Sequence, residues 1–237
     1  MSYVLLLFLG FIPSIVWLLY YLRKDKHPES NTKIIKIFCF GMLITIPTAL
    51  IEIGILNQIE IIKSLPTFIA NPIFFLALKY FLVIALLEEL MKYLVVKKEV
   101  FSAPEFDEPI DIMLYMIICA LGFAAIENTL TLFPPKEITE ALSTIWIRFI
   151  GATLLHTLCS AMLGYFLALS FYKIKRRNGI TAIGLILAIT LHGFYDLSIM
   201  TEGSLRVFGP MVILIGLAIF VSFGFKKLKK LKSVCKI

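Results

Sequence analysis

Seven stretches of this chain are apolar over about the length that crosses a lipid bilayer. The hydrocarbon core is about 30 Å thick, and an α-helix crosses it in about 20 residues. Because lipid offers the backbone no hydrogen-bond partners, we expect each stretch to be helical. The predicted spans are 3–22, 34–56, 75–97, 110–133, 147–172, 180–200 and 204–225. The predicted fold class is an all-α, polytopic bundle of about seven transmembrane helices.

The composition supports one membrane domain over residues 1–237. Hydrophobic residues make up 59% of the chain, which is too high for a soluble domain of this size. No internal repeat or low-complexity linker divides the sequence. The first span has neither a basic n-region nor a small-residue cleavage site, so we expect a retained helix and not a signal peptide.

The net charge of +7 comes from short basic runs between the apolar stretches and from the tail FKKLKKLKSVCKI. This distribution predicts contact with anionic lipid, not with nucleic acid. Basic loops follow the first, third, fifth and seventh spans, and the others are poor in Lys and Arg. The positive-inside rule therefore predicts an outer N-terminus and a cytoplasmic C-terminus. The four cysteines are isolated, so no thiol metal site or disulfide framework is expected.

Two further features concern the ends of the spans. Residues 66–79 hold two prolines, an asparagine and a lysine, which predicts an interfacial or re-entrant piece, with the third span beginning nearer Lys79. Four charged residues lie within about a turn of a predicted interface, where water can solvate them. They are Glu52, Asp111, Arg148 and Arg206.

Four spans carry polar motifs in their interiors. The motifs are EELMK (Glu88–Lys92), FAAIEN (Phe123–Asn128), HTLCS (His156–Ser160) and HGFYD (His192–Asp196). Residues four apart share one helix face, so each of three motifs begins and ends on a single polar face. Exposing such a polar face to lipid costs free energy. We therefore expect the four motifs to converge inside the bundle.

The depths of three of these residues support one common site. At about 1.5 Å per residue, Glu127, His156 and His192 lie roughly 9, 13 and 12 Å below the outer ends of their spans. Two imidazoles and a carboxylate predict a tetrahedral zinc site with one open position, and a further carboxylate could act as base on the bound water. Two alternatives remain. They are a proton or ion pathway in a transporter, against which the lack of repeats argues, and an inert membrane chaperone or immunity protein.

In their order and spacing, the four motifs resemble those of the PrsW family of bacterial intramembrane proteases. This family belongs to a wider group with CAAX prenyl endopeptidases and bacteriocin-immunity-type membrane proteins. Its pattern is E-E-x-x-K, F-x-x-x-E-N, H-x-x-x-S and H-x-x-x-D, and this chain has all four in order. The resemblance covers roughly residues 80–200, which we take as the expected catalytic core.

The resemblance implies proteolysis of a membrane-anchored protein substrate in the bacterial plasma membrane. The typical substrate of the family is a single-pass anti-sigma factor, cut on its outer side at the start of a stress response. The catalytic residues carried over are Glu88, Glu89, Glu127, His156 and His192. The supporting residues are Lys92, Asn128, Ser160 and Asp196.

Ligand chemistry and the resemblance together give a predicted mechanism. Glu127, His156 and His192 hold zinc, and Glu88 is the base, with Glu89 as the alternative. Lys92 balances the two adjacent carboxylates. Asp196 orients His192 or helps to bind the scissile carbonyl, and Asn128 donates to the oxyanion. A metal-free mechanism, in which the same residues bind water directly, stays open.

Overall fold

The computed structural model describes residues 3–25, 29–63, 72–100, 108–135 and 137–231, and these residues form helices and short connections without a strand. The α-helices are α1 (Tyr3–Leu22), α2 (Asn31–Lys63), α3 (Pro72–Ala77), α4 (Leu86–Val100), α5 (Pro109–Thr131), α6 (Ile138–Ile150), α7 (Ala152–Tyr172), α8 (Arg177–Ile199) and α9 (Leu205–Leu228). A π-helical segment, Leu78–Ala85, joins α3 to α4, and a 3₁₀ turn, Ile174–Arg176, precedes α8. The predicted all-α class is confirmed.

Six helical stretches of the described residues are long and apolar enough to cross a membrane. They are Tyr3–Leu22, Asn31–Ile62, Pro109–Thr131, Ile138–Tyr172, Ile174–Ile199 and Leu205–Leu228. The remaining predicted span, 75–97, lies within the continuous helix formed by α3, the π-helical segment and α4. Its central charged side chains are at most 5% exposed, because α4 packs against α2, α5 and α8. The predicted helical membrane bundle is therefore observed.

The helices differ from the predicted spans at three places. Helix α2 is longer than the predicted 34–56, and the predicted span 147–172 is broken at Gly151 into α6 and α7. A Cβ at Gly151 would lie 2.6 Å from the Tyr195 hydroxyl and 2.8 Å from the carbonyl oxygen of Ile147, so a side chain at this bend would force its neighbours to shift. In the predicted interfacial or re-entrant piece, residues 66–71 lie outside the described residues, and the rest is helical from Pro72 without a break at Lys79.

Helix α5 is the centre of the bundle. It is buried on all sides from Pro109 to Ala125, as expected for a helix that is apolar all round. It packs against α1, α2, α4 and α7, while α7 also contacts α8 and α9. A Cβ on Gly122 would collide with the carbonyl oxygen of Phe38, so glycine lets α2 and α5 approach closely. Through these contacts, the polar motifs of α4 and α7 lie beside the central helix, and α8 packs against both of them.

Candidate active site

The four polar motifs come together between α4, α5, α7 and α8. Glu89, Lys92 and Ser160 are fully buried, and Glu88, His156 and His192 are at most 5% exposed. Each motif lies in the interior of its helix, so its polar atoms point sideways into the bundle. Most of their partners are other residues of the four motifs, because lipid would leave these groups unpaired.

Lys92 ties the carboxylates of α4 to α7. Its Nζ atom lies 2.7 Å from Oε1 of Glu89 and 3.5 Å from Oε2 of Glu88. The same atom is 3.0 Å from Nδ1 of His156 and lies over the ring of Phe123 at 4.6 Å. A buried cation with these neighbours offsets the charge of two adjacent buried carboxylates.

The two imidazoles lie side by side and share one carboxylate. Their ring centroids are 5.0 Å apart. Oε2 of Glu88 lies 3.5 Å from Nδ1 of His156 and 3.7 Å from Nε2 of His192. This oxygen is buried and has no hydrogen-bond partner among the described residues. Glu88 is therefore the carboxylate that faces both histidines.

Each histidine uses its other ring nitrogen for a different carboxylate. Nε2 of His156 lies 2.6 Å from Oε2 of Glu127, and Nδ1 of His192 lies 3.0 Å from Oε1 of Glu89. Histidines that bind a metal commonly donate their second N–H to a carboxylate, which fixes the tautomer and the orientation of the ring. His192 thus has the arrangement that a metal ligand requires. Nδ1 of His156 lies 3.0 Å from Nζ of Lys92, so His156 would exchange this contact for the metal.

The residues fit a metal ion by position as well as by type. One ligand atom from each of Glu88, His156 and His192 can be chosen so that all three lie within 4.8 Å of one another. Zinc at about 2.0–2.1 Å from tetrahedral ligands needs ligand atoms about 3.3 Å apart. The 3.5 and 3.7 Å separations from Glu88 are close to this value. The sequence predicted Glu127 as the third metal ligand beside the two histidines. In the structure, Glu88 is the carboxylate grouped with them.

Glu127 lies at the edge of the site instead of its centre. Its side chain is 31% exposed, and its Oε1 atom is 3.0 Å from Nη2 of Arg148 on α6. Asp196 is also partly exposed, at 17%, with Oδ2 3.5 Å from Nε2 of His192. These two carboxylates form an exposed edge of the site, which we call its mouth.

Two predicted supporting residues have mainly internal partners. Ser160 donates a hydrogen bond of 3.2 Å to Oε2 of Glu89. The Nδ2 atom of Asn128 bonds to Thr153 and to the carbonyl oxygen of Gly10. Its Oδ1 accepts from Nε of Arg148 at 2.6 Å. Asn128 is thus committed to holding α1, α5, α6 and α7 together, and it has no free N–H for an oxyanion.

Two residues at the site were expected to be solvated at an interface. Arg148 instead bridges Glu127 and Asn128. Glu52 on α2 has a buried carboxyl oxygen and interacts electrostatically with Glu88, Glu127, Lys92 and His192. Neither belongs to one of the four polar motifs. The only signal in the sequence was a charge inside an apolar stretch.

Comparisons with known proteins show which family the chain belongs to. A family model described as the PrsW family intramembrane metalloprotease matches residues 29–223. Protease PrsW of Geobacillus kaustophilus is 30% identical over 188 residues, 79% of this chain and 76% of the relative. Protease PrsW of Oceanobacillus iheyensis is 31% identical over 189 residues, which are 79% of this chain and 79% of the relative. Protease PrsW of Bacillus subtilis is 26% identical over 227 residues, which are 95% of this chain and 94% of the relative.

No solved structure gives a significant match to the chain. The family model nevertheless covers most of the sequence and includes all four polar motifs. The relatives align along most of their own length as well. The chain is therefore a member of the PrsW family of intramembrane metalloproteases, and hence a membrane-embedded protease.

Proposed function

We propose that this protease uses zinc, held by Glu88, His156 and His192, to cut a membrane-anchored protein. The observation that carries the proposal is the grouping of one ligand atom from each residue within 4.8 Å. Second contacts from Glu127 and Glu89 support the two imidazoles in that role. Zinc would supply Lewis acidity, which acidifies a coordinated water and polarises a carbonyl.

Glu127 is the proposed general base. It is the more exposed of the carboxylates that contact His156, and it lies at the mouth where a peptide can approach. Its carboxylate takes the proton of the attacking water and later delivers it to the leaving amine. Arg148 holds this carboxylate in place from the other side. Glu89, with Lys92 and Ser160, orients His192 from within the bundle.

The proposed substrate is a single-pass protein, with an anti-sigma factor as the first candidate. The basic loops favour an outer N-terminus and a cytoplasmic C-terminus in the bacterial plasma membrane. In that orientation Glu127, four residues before the end of α5, lies near the outer face. Helix ends lack some intrahelical hydrogen bonds, so unwinding is easiest there. The cut is therefore proposed at the outer end of the substrate's span.

The whole chain, residues 1–237, is proposed to act as one domain. Its catalytic core is proposed to be roughly residues 80–200. Helix α2 lies outside that core in sequence and still packs against α4 and α5. Helix α1 contacts α5, and Trp17 donates to the carbonyl oxygen of Phe149 at 2.9 Å. These helices brace the motifs from outside.

One experiment tests the metal, the substrate and the orientation together. Purified protein is analysed for zinc and incubated in vesicles with a single-pass anti-sigma factor, with and without a chelator. We expect about one zinc per chain, chelator-sensitive cleavage and, by mass spectrometry, a cut at the outer end of the span. Cleavage by zinc-free protein would favour the metal-free mechanism. A cut at the cytoplasmic end would reject the orientation.

A cysteine-labelling experiment tests the orientation without any substrate. In a protein without its native cysteines, an outer reagent should label Glu137→Cys and not Arg176→Cys. Both positions are exposed, and they lie in the connections before α6 and α8. The reverse pattern would invert the topology.

A further inference from the structure

A cavity lies between the ends of the first and last helices, away from the candidate active site. Its volume is about 370 Å³, within the range of small-molecule sites, about 300–1,000 Å³. Its inner wall is formed where Tyr21 of α1 stacks on Phe225 of α9, with ring centroids 5.9 Å apart. Both rings are only 6% exposed, and the buried Val221 lies one turn before Phe225. The inner wall is therefore largely apolar and held in place by packing.

The rim of this cavity is cationic. It is lined by Lys24 of α1, by Lys226 in the last turn of α9 and by Lys229 just beyond that helix. None of the described residues that line the cavity is acidic, and Asp25, the neighbour of Lys24 in sequence, is not among them. Lys226 and Lys229 are exposed, and Lys24 is partly buried, with its Nζ atom 4.5 Å from the centre of the Tyr20 ring. Three positive charges therefore line one space that an anion can enter.

The cavity lies at the level of the lipid headgroups. Helices α1 and α9 are both long and apolar enough to cross a membrane, and the three lysines lie within a turn of their last residues, Leu22 and Leu228. Tyr20, which also lines the cavity, is of a residue type enriched at the membrane–water interface. Both helix ends are on the side that the basic loops predict to be cytoplasmic. The lipids of that leaflet carry negative charge, and basic pockets between transmembrane helices there bind their headgroups.

The combination of a cationic rim and an apolar inner wall favours a lipid over a soluble anion. A soluble anion would use only the lysines, whereas a phospholipid also covers apolar surface. We propose that the cavity binds an anionic phospholipid, whose phosphodiester contacts Lys24, Lys226 and Lys229. Its glycerol and first acyl carbons lie against Tyr21 and Phe225. The bound lipid joins the ends of α1 and α9. This inference goes beyond the proposed cleavage and does not depend on it.

The test measures lipid binding to the purified full chain in a neutral detergent. Native mass spectrometry counts the bound lipids during titration with phosphatidylglycerol, and phosphatidylcholine with the same acyl chains is the zwitterionic comparison. The test variant combines Lys24→Gln, Lys226→Gln and Lys229→Gln. The matched control combines Lys97→Gln, Lys98→Gln and Lys175→Gln, which remove the same charge at exposed positions outside the cavity.

We expect the parent protein to bind one phosphatidylglycerol more tightly than phosphatidylcholine. A lysine near an anionic lipid surface contributes about fivefold in affinity, so the test variant should bind phosphatidylglycerol about 100-fold more weakly. The control should stay within about twofold of the parent. Without lipid, the thermal unfolding midpoints of all three proteins should agree. Phosphatidylglycerol should then raise the midpoints of the parent and the control but not that of the test variant.

Three outcomes would overturn the inference. Equal weakening in the control would show general attraction of anionic lipid to a basic surface. Equal affinity of the parent for phosphatidylglycerol and phosphatidylcholine would remove the role of the charge. Displacement of the lipid by low millimolar inorganic phosphate would assign the cavity to a soluble anion.

A single variant keeps the test valid if the triple variant is unstable. Lys229→Gln, beyond the end of α9, should weaken phosphatidylglycerol binding about fivefold without lowering the lipid-free midpoint. Unchanged binding by this variant would contradict the contact of Lys229 with the lipid. None of these measurements uses cleavage, so the proposed protease function is tested separately.

Discussion

Nε2 of His156 lies 2.6 Å from Oε2 of Glu127, and Nδ1 of the same ring lies 3.5 Å from Oε2 of Glu88. One imidazole therefore separates two glutamates into an inner and an outer position. The inner one is buried against both histidines, and the outer one is at the mouth beside Arg148. This separation assigns different chemistry to two residues of the same type.

The first prediction concerns the two glutamates. Glu88→Ala should lose zinc and cleavage, because it removes one of three ligands. Glu127→Gln should keep zinc and lose about 10²–10⁴-fold in kcat, the usual contribution of a general base. Metal analysis and single-turnover kinetics measure both. The opposite pattern, with zinc lost only in Glu127→Gln, would restore Glu127 as the ligand and Glu88 as the base.

The second prediction concerns Lys92. Lys92→Met leaves the buried carboxylate of Glu89 without its 2.7 Å cation, which should cost about 3–5 kcal/mol of stability. The thermal unfolding midpoint in detergent should fall well below that of the parent. Lys98→Met, at an exposed position on the same helix, is the control. Equal unfolding midpoints for the two variants would show that the Lys92–Glu89 ion pair contributes little to stability.

The third prediction concerns Arg148. Arg148→Leu removes contacts to Glu127 and Asn128, so kcat should fall about 10- to 100-fold, the equivalent of a lost charge-assisted hydrogen bond. Zinc should be retained. Arg148→Lys keeps the charge without the forked geometry and should be intermediate. Arg206→Leu, exposed on α9, should resemble the parent. A fall in zinc content would instead link Arg148 to ligand placement.

The fourth prediction concerns the packing of α2 on α5. Gly122→Ala would drive a methyl group into the backbone of Phe38, which cannot rotate away, and should cost about 1–3 kcal/mol. Gly54→Ala, which meets no atom within 4 Å, should be neutral or gain up to about 1 kcal/mol from helix propensity. Thermal unfolding of the pair measures the difference, and equal midpoints would mean that α2 moves freely.

The choice between a protease and a transporter was open from the residues alone. Intramembrane Glu, Asp and His residues serve both proton pathways and hydrolytic sites. The family match over residues 29–223 decides for the protease. The substrate, the side of cleavage and the identity of the metal stay predictions that the experiments above test.

Sequence patterns predicted the position of a helix well where that position depends on the helix alone. Apolar length fixed most spans to within a few residues, because each helix must satisfy its own backbone in lipid. It missed the bend at Gly151, which lies against Tyr195 of another helix. The long α2 was also underestimated, because its polar end retains helical structure beyond the apolar core.

The sequence by itself determined that this is a helical membrane protein, and it singled out the four polar motifs that are proposed to carry its chemistry. Those features depend on local spacing, which puts residues four apart on one face, and on the cost of polar groups in lipid. Only the tertiary structure decided that Glu88 faces both imidazoles while Glu127 lies at the mouth, and that Arg148 reaches the site. The physical reason is that these relations depend on how helices distant in sequence rotate and cross, and close packing at residues such as Gly122 sets that geometry.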